Sequence, residues 1–122
     1  MDPITAAANA LETILEARPG ESVLIVCDDV REDVGRVFAR GAMRLGLWTR
    51  LLVLKTSPDE FRTQVPPELM EMINSPHQPD IFVNILRGPA QETPFRIKII
   101  NLETRKGRSR LGHCPGITMD ML

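Results

Sequence analysis

Two carboxylates, Asp28-Asp29, follow the apolar run Ser22-Val23-Leu24-Ile25-Val26-Cys27. Acidic residues at a strand end can bind a cation or ribose hydroxyls. The plainer alternative is that one of them caps the helix that follows. Arg87 precedes Gly88-Pro89, and Glu92 precedes Thr93-Pro94-Phe95-Arg96, which makes a second polar cluster. Arg96 falls at the start of a helix, where a positive charge opposes the dipole. Such a placement fits a side chain kept there to hold a carboxylate; otherwise it is an exposed residue or a salt bridge to Glu92. His113 closes a short strand just before a Pro-Gly turn. A strand-end imidazole can ligate metal or move protons, yet no other His, Cys or carboxylate sits at ligand spacing. His77, in a Pro-flanked loop, offers less. Cys114 stands beside His113, but sequence neighbours seldom face one another as thiolate catalysis requires. Cys27 closes an apolar run, as a small core residue does.

These residues assemble no nucleophile triad, acid pair or metal site. The stretch after the first apolar run, "CDDVREDVG", lacks the glycine fingerprint of dinucleotide binding, and no Walker-type loop is present. Catalytic and metal-ligating residues are therefore expected to be absent from this chain. The candidate substrate or cleft residues are Asp28, Asp29, Arg87, Arg96 and His113. The late basic residues Arg96, Lys98, Arg105, Lys106, Arg108 and Arg110 face only Glu103 nearby. They read as a solvated helix face and turn, with an anion site as the lesser reading.

The elements that must position these groups alternate. Asp2 caps a first helix with Pro3 at its first position, Ala7, Leu11, Ile14 and Leu15 on its apolar side, and Arg18 near its end. Pro19-Gly20 stops it. The unbroken apolar run from Ser22 to Cys27 suits a strand buried on both faces. A helix from about Arg31 to Leu45 follows, with Gly46 as its stop. Trp48 to Leu54 is the second strand and Pro66-Pro67 opens a short helix. Asp80 to Leu86 is the third strand, with Asn84 the odd polar residue inside it. Thr93 caps a helix with Pro94 at its first position, buried through Phe95, Ile99 and Ile100. Ser109 to His113 is a fourth strand, and Thr118 caps a helix that begins there. Alternating strands and helices predict one α/β domain over residues 1–122, a small parallel sheet of about four strands with helices on both faces. A flavodoxin- or Rossmann-like order is expected, with the third strand crossing to the far side of the first.

Of the 122 residues 43% are hydrophobic and 25% charged, and the net charge of −1 gives no global pull toward nucleic acid or an anionic membrane. No stretch approaches the roughly 20 apolar residues of a membrane span, and no signal peptide is visible at the N-terminus. Two isolated thiols suit a reducing, cytoplasmic setting.

Two stretches carry a resemblance. Residues 11–29 end in "LEARPGESVLIVCDD", and residues 88–122 read "GPAQETPFRIKIINLETRKGRSRLGHCPGITMDML". Together with the strands at Trp48 and at "PDIFVNIL", they resemble the N-terminal region of the aminopeptidase T-like metallopeptidase family. The segment from His113 to Met121 is the more specific part. The resemblance implies an N-terminal, cleft-forming domain of a longer enzyme, inactive alone and partnered by the C-terminal catalytic domain of the same polypeptide. It also implies a possible homodimer. No cofactor is expected in this domain; a divalent metal (zinc, cobalt or magnesium) is expected in the C-terminal domain, whose ligands have no counterpart here. Hydroxypyridine ring-opening dioxygenases look similar over the same region. A stand-alone module binding a small anion at Arg87, Arg96 and His113 is the third possibility.

Overall fold

The computed structural model describes residues 1–122. Its elements are α1 (Pro3–Thr13), β1 (Ser22–Asp28), α2 (Glu32–Arg44), β2 (Trp48–Leu54), α3 (Pro67–Ile73), β3 (Ile81–Ile85), α4 (Thr93–Thr104) and β4 (Arg110–His113). The four strands form one all-parallel sheet in the order β2-β1-β3-β4. The third strand does lie beyond the first, as in a flavodoxin-like sheet. The chain reverses direction across the sheet after β2. Right-handed crossovers therefore put α2 on one face and α3 and α4 on the other.

Alternation along the strands sorts the core into two layers. Val23, Ile25, Cys27, Ile81, Val83 and Ile85 face α1 and α2. Leu24, Val26, Leu52, Leu54, Phe82 and Leu86 face α3 and α4, whose Leu69, Ile73, Phe95 and Ile99 cover them. Every residue of β1 from Val23 to Asp28 is buried, which is why that strand reads as a continuous apolar run. Burying one such Leu, Ile or Phe side chain contributes about 1.5–3 kcal/mol. The Cys27 thiol is part of this core, and burial pushes its pKa up to about 12.

Several boundaries differ from the sequence expectation. Asp2 does cap α1, its carboxylate accepting from Thr5 N at 2.9 Å. The helix stops at Thr13, however, well short of Arg18. Glu16 takes a left-handed φ of 53°, and Ala17 N donates back to the Leu11 carbonyl, so the chain turns before Pro19-Gly20 is reached. Neither Asp28 nor Asp29 caps α2; a 3-10 turn over Asp29–Arg31 intervenes, and the residue before α2 is Arg31. Thr93 is the first residue of α4 rather than its cap, because a second 3-10 turn (Ala90–Glu92) leads into it. Thr118 opens only a 3-10 turn, Met119–Met121, and makes no side-chain cap. No helix is long and apolar enough to cross a membrane.

The α1–α2 contact depends on a missing side chain. A β-carbon at Gly41 would lie 2.9 Å from the Ala8 amide nitrogen and 3.2 Å from the Ile4 carbonyl oxygen. Those atoms are backbone and cannot step aside alone. Gly41→Ala gains about 1 kcal/mol of helix propensity but meets an overpacking cost of about 1–3 kcal/mol. The expected result is net destabilisation, seen as an earlier midpoint in urea unfolding. An unchanged or later midpoint would show that the two helices can separate freely.

Candidate functional site

The carboxyl edge of an open parallel sheet is where ligands bind, in the crevice where strand order reverses. Here that crevice lies between β1 and β3. Strand alternation places Asp28 on the α3/α4 face at the end of β1, with no solvent exposure. A carboxylate there must be compensated by charge and hydrogen bonds. Arg62 supplies both, from the irregular connection between β2 and α3. Its Nη1 donates to Asp28 Oδ1 at 2.6 Å and its Nη2 to Oδ2 at 2.8 Å, a two-pronged fork. The Arg87 backbone amide, just past β3, donates to the same Oδ2 at 2.8 Å.

Glu92 is the second buried anion. It accepts from Arg62 N, Nε and Nη2, each at 2.9 Å. It also accepts from Arg87 Nε at 3.0 Å and Nη2 at 2.9 Å. Burial by itself raises the pKa of Glu92, but the hydrogen bonds from Arg87 and Arg62 outweigh it and hold the carboxyl well below the usual range. Arg87 further donates to the Ser57 and Glu60 carbonyls, both at 2.7 Å. Aromatic faces complete the packing: Phe95 lies 4.3 Å from the Arg62 guanidinium and Phe61 lies 5.7 Å from that of Arg87. Two carboxylates and two guanidiniums thus saturate one another across the crevice.

The five candidate residues separate into three groups. Asp28 and Arg87 belong to this network. Arg96 adjoins it but forms no ion pair with Glu92. Its guanidinium donates to the Arg87 and Pro89 carbonyls at 3.1 Å and to Thr93 Oγ1 at 3.0 Å. Arg96 therefore escapes its unfavourable position at the start of α4 by reaching back to loop carbonyls. Asp29 is exposed and apart, accepting from the Thr56 hydroxyl and amide; those bonds lower its pKa. His113, at the end of β4, stands against Asn84 of β3, with Nδ1 3.3 Å from Asn84 Nδ2. Burial and then the nearby Arg96 charge lower its pKa. Burial raises that of Cys114.

None of the three surface cavities is lined by any of these five residues. The most apolar of them, of about 110 Å³, runs between α1 and β4 past Ile14, Leu15, Leu111 and Cys114. No three His, Cys, Asp or Glu side chains converge to hold a metal ion. Arg62 carries no periodic sequence signal, because it sits in an irregular polar stretch. Glu103 did carry one: it falls four residues after Ile99, which is four after Phe95, so it lies on the buried stripe of α4.

Removing Arg62 strands two buried carboxylates. Arg62→Ala is expected to cost about 3–5 kcal/mol at neutral pH. The pH dependence gives a second signature. Glu92 has a depressed pKa in the folded protein, so its stabilising contribution is present above the ordinary value of 4.5 and is lost as pH falls below it. That acid-side decline should shrink in Arg62→Ala. Urea unfolding from pH 2 to 7 measures both effects, and a variant with wild-type stability and slope would show the network to be inert.

No protein-family model matches the chain, and no curated protein is significantly similar to it.

Proposed function

We propose that this chain is the N-terminal, cleft-forming accessory domain of a metal-dependent aminopeptidase, working beside a catalytic domain of the same polypeptide. The observation that carries the reading is the closed crevice. The place where an α/β sheet of this order takes its ligand is occupied by the chain's own Arg62, bonded to Asp28 on one side and Glu92 on the other. A domain so closed supports or covers a site made elsewhere rather than holding the reacting atoms. The metal does not fit any set of side chains here, so the catalytic domain would hold it. A bound divalent ion would supply a water of lowered pKa and a polarised scissile carbonyl.

The segment that bears the family resemblance has a structural role consistent with this. Cys114 N donates to the Asn84 carbonyl at 2.9 Å and Gly116 N to the Leu86 carbonyl at 2.8 Å. The chain thus continues beside β3 past the end of β4. Ile117, Met119 and Leu122 then pack against the α1/α2 layer. "GHCPGITMDM" is in this way a strap over the carboxyl edge, leading from the sheet toward the α1/α2 face.

The test uses the polypeptide encoded by the whole reading frame. It should release N-terminal residues from an unblocked peptide and not from its N-acetylated form. Chelation should abolish the release and zinc, cobalt or magnesium should restore it, while residues 1–122 alone release nothing. Activity that survives complete metal removal, or none with any of the three metals, would overturn the reading. Oxygen consumption with a dihydroxypyridine and ferrous iron would instead place the chain with ring-opening dioxygenases.

A further inference from the structure

A third buried carboxyl lies on the same sheet face, away from the Arg62 network, and it has no cation. Glu103, in the last turn of α4, has no solvent exposure. Its one side-chain hydrogen bond comes from Asn84 Nδ2 to Oε1 at 2.6 Å. Its Oε2 has no partner, and neither has Asn84 Oδ1 nor Gln78 Oε1. Gln78 belongs to the same corner, since its Nε2 donates to the Glu103 carbonyl at 3.3 Å. All three unpaired atoms are oxygens, so the corner lacks donors rather than acceptors. A protonated Glu103 brings the missing donor, an O–H; an ionised one adds a further uncompensated acceptor.

The charges around it do not favour ionisation. From β3 the facing group is Asn84, and from the α3–β3 connection it is Gln78; both are neutral. From β4 it is His113, joined through the Asn84 amide and itself disfavoured as a cation by burial and by Arg96. On α4, Arg96 is spent on loop carbonyls and Thr93. Lys98, Arg105, Lys106 and Arg108 are exposed, and Glu103 forms no salt bridge with any of them or with Arg110, which pairs with Glu21.

We propose that Glu103 is a proton-dependent latch: as a neutral acid it docks the last turn of α4 on β3 and β4, and its ionisation frees that turn and the His113 edge. Burial supports this by raising the Glu103 pKa to about 8, against the smaller opposite pull of the Asn84 amide. The sign follows from the folded pKa lying above the ordinary 4.5. The latch stabilises fully below pH 4.5, weakens as pH rises from there, and is lost through pH 8. Within that window the unfolding equilibrium constant rises by up to about tenfold per pH unit. The same bridge sets the histidine: Nδ1 accepts from the Asn84 amide, which leaves the proton on Nε2 of the neutral ring. The inference does not depend on the aminopeptidase reading.

Three measurements on the 122-residue chain test it. Urea unfolding from pH 5 to 9 should show the wild type losing on the order of 1,000-fold in its folding equilibrium relative to Glu103→Gln, whose profile lacks this decline. Amide hydrogen exchange in residues 100–104 should accelerate above pH 8 beyond the intrinsic pH effect in the wild type only. Carbon-13 titration of the wild-type Glu103 carboxyl should have its midpoint near pH 8, with His113 nitrogen shifts of the Nε2–H tautomer. A carboxyl that titrates in the ordinary range, or equal pH slopes in wild type and variant, would overturn the proposal. If Glu103→Gln does not fold, the wild-type carboxyl titration decides alone.

Discussion

The pairing of Arg62 with Asp28 is the constraint around which the carboxyl edge is arranged. A parallel sheet covered on both faces leaves its central strand no solvated side. When such a strand ends on an aspartate, the charge is buried with it, and the fold must bring a cation to that point. Here the cation comes from 34 residues further along the chain. Its arrival sets the path of the β2–α3 connection, which otherwise has little regular structure. Glu92 then balances the surplus donors of Arg62 and recruits Arg87, and Arg87 in turn holds the carbonyls of Ser57 and Glu60. One buried aspartate accounts for a chain of contacts that fixes three loops. Ion pairs of this kind add less net stability than their short distances suggest, because desolvation offsets the attraction. What they contribute is a unique arrangement of loops whose local sequence does not dictate one.

Glu92 and Glu103 show how far environment governs a carboxyl. Both are fully buried, and both lie at an end of α4. Glu92 meets two guanidiniums and remains an anion; Glu103 meets one amide and is driven toward the neutral acid. Burial pushes both in the same direction, so the difference lies in the partners alone. Helix α4 is therefore held at its start by charge pairing and at its end by a carboxyl that must keep its proton. The two ends respond to pH in opposite directions.

Much of the fold was legible because strand and helix patterning is local. The run from Val23 to Cys27 announces a two-faced buried strand, and Trp48 to Leu54 matches β2 to the residue. The order of β3 beyond β1 also followed, from the alternation of elements and crossover handedness. Element boundaries were less legible where short 3-10 turns replaced simple caps, as at Asp29 and Thr93. Those turns are selected by contacts of the turn residues, such as Glu92 with Arg62, and not by the cap residue itself. The same reason hid the network. Asp28, Arg87 and Glu92 were visible as polar residues at strand ends, but their common partner was not, since an arginine in a polar loop has no pattern to betray its destination.

Arg96 marks the limit of electrostatic reasoning from position alone. A cation at the start of a helix is unfavourable, and that suggested a ligand or a salt bridge. The side chain resolves the conflict differently, by extending away from the helix and donating to the carbonyls of Arg87 and Pro89. Nearly all of its surface is then buried, at 9% exposure. Its remaining charge acts at a distance on His113, where it opposes protonation. An arginine that pairs with no acid still shapes the site, because it supplies donors to the loop that carries Arg87 and a positive field to the strand that carries the histidine. Asp28, Arg87, Arg96 and His113 are thus linked as supports for one another, while Asp29 stands apart with Thr56.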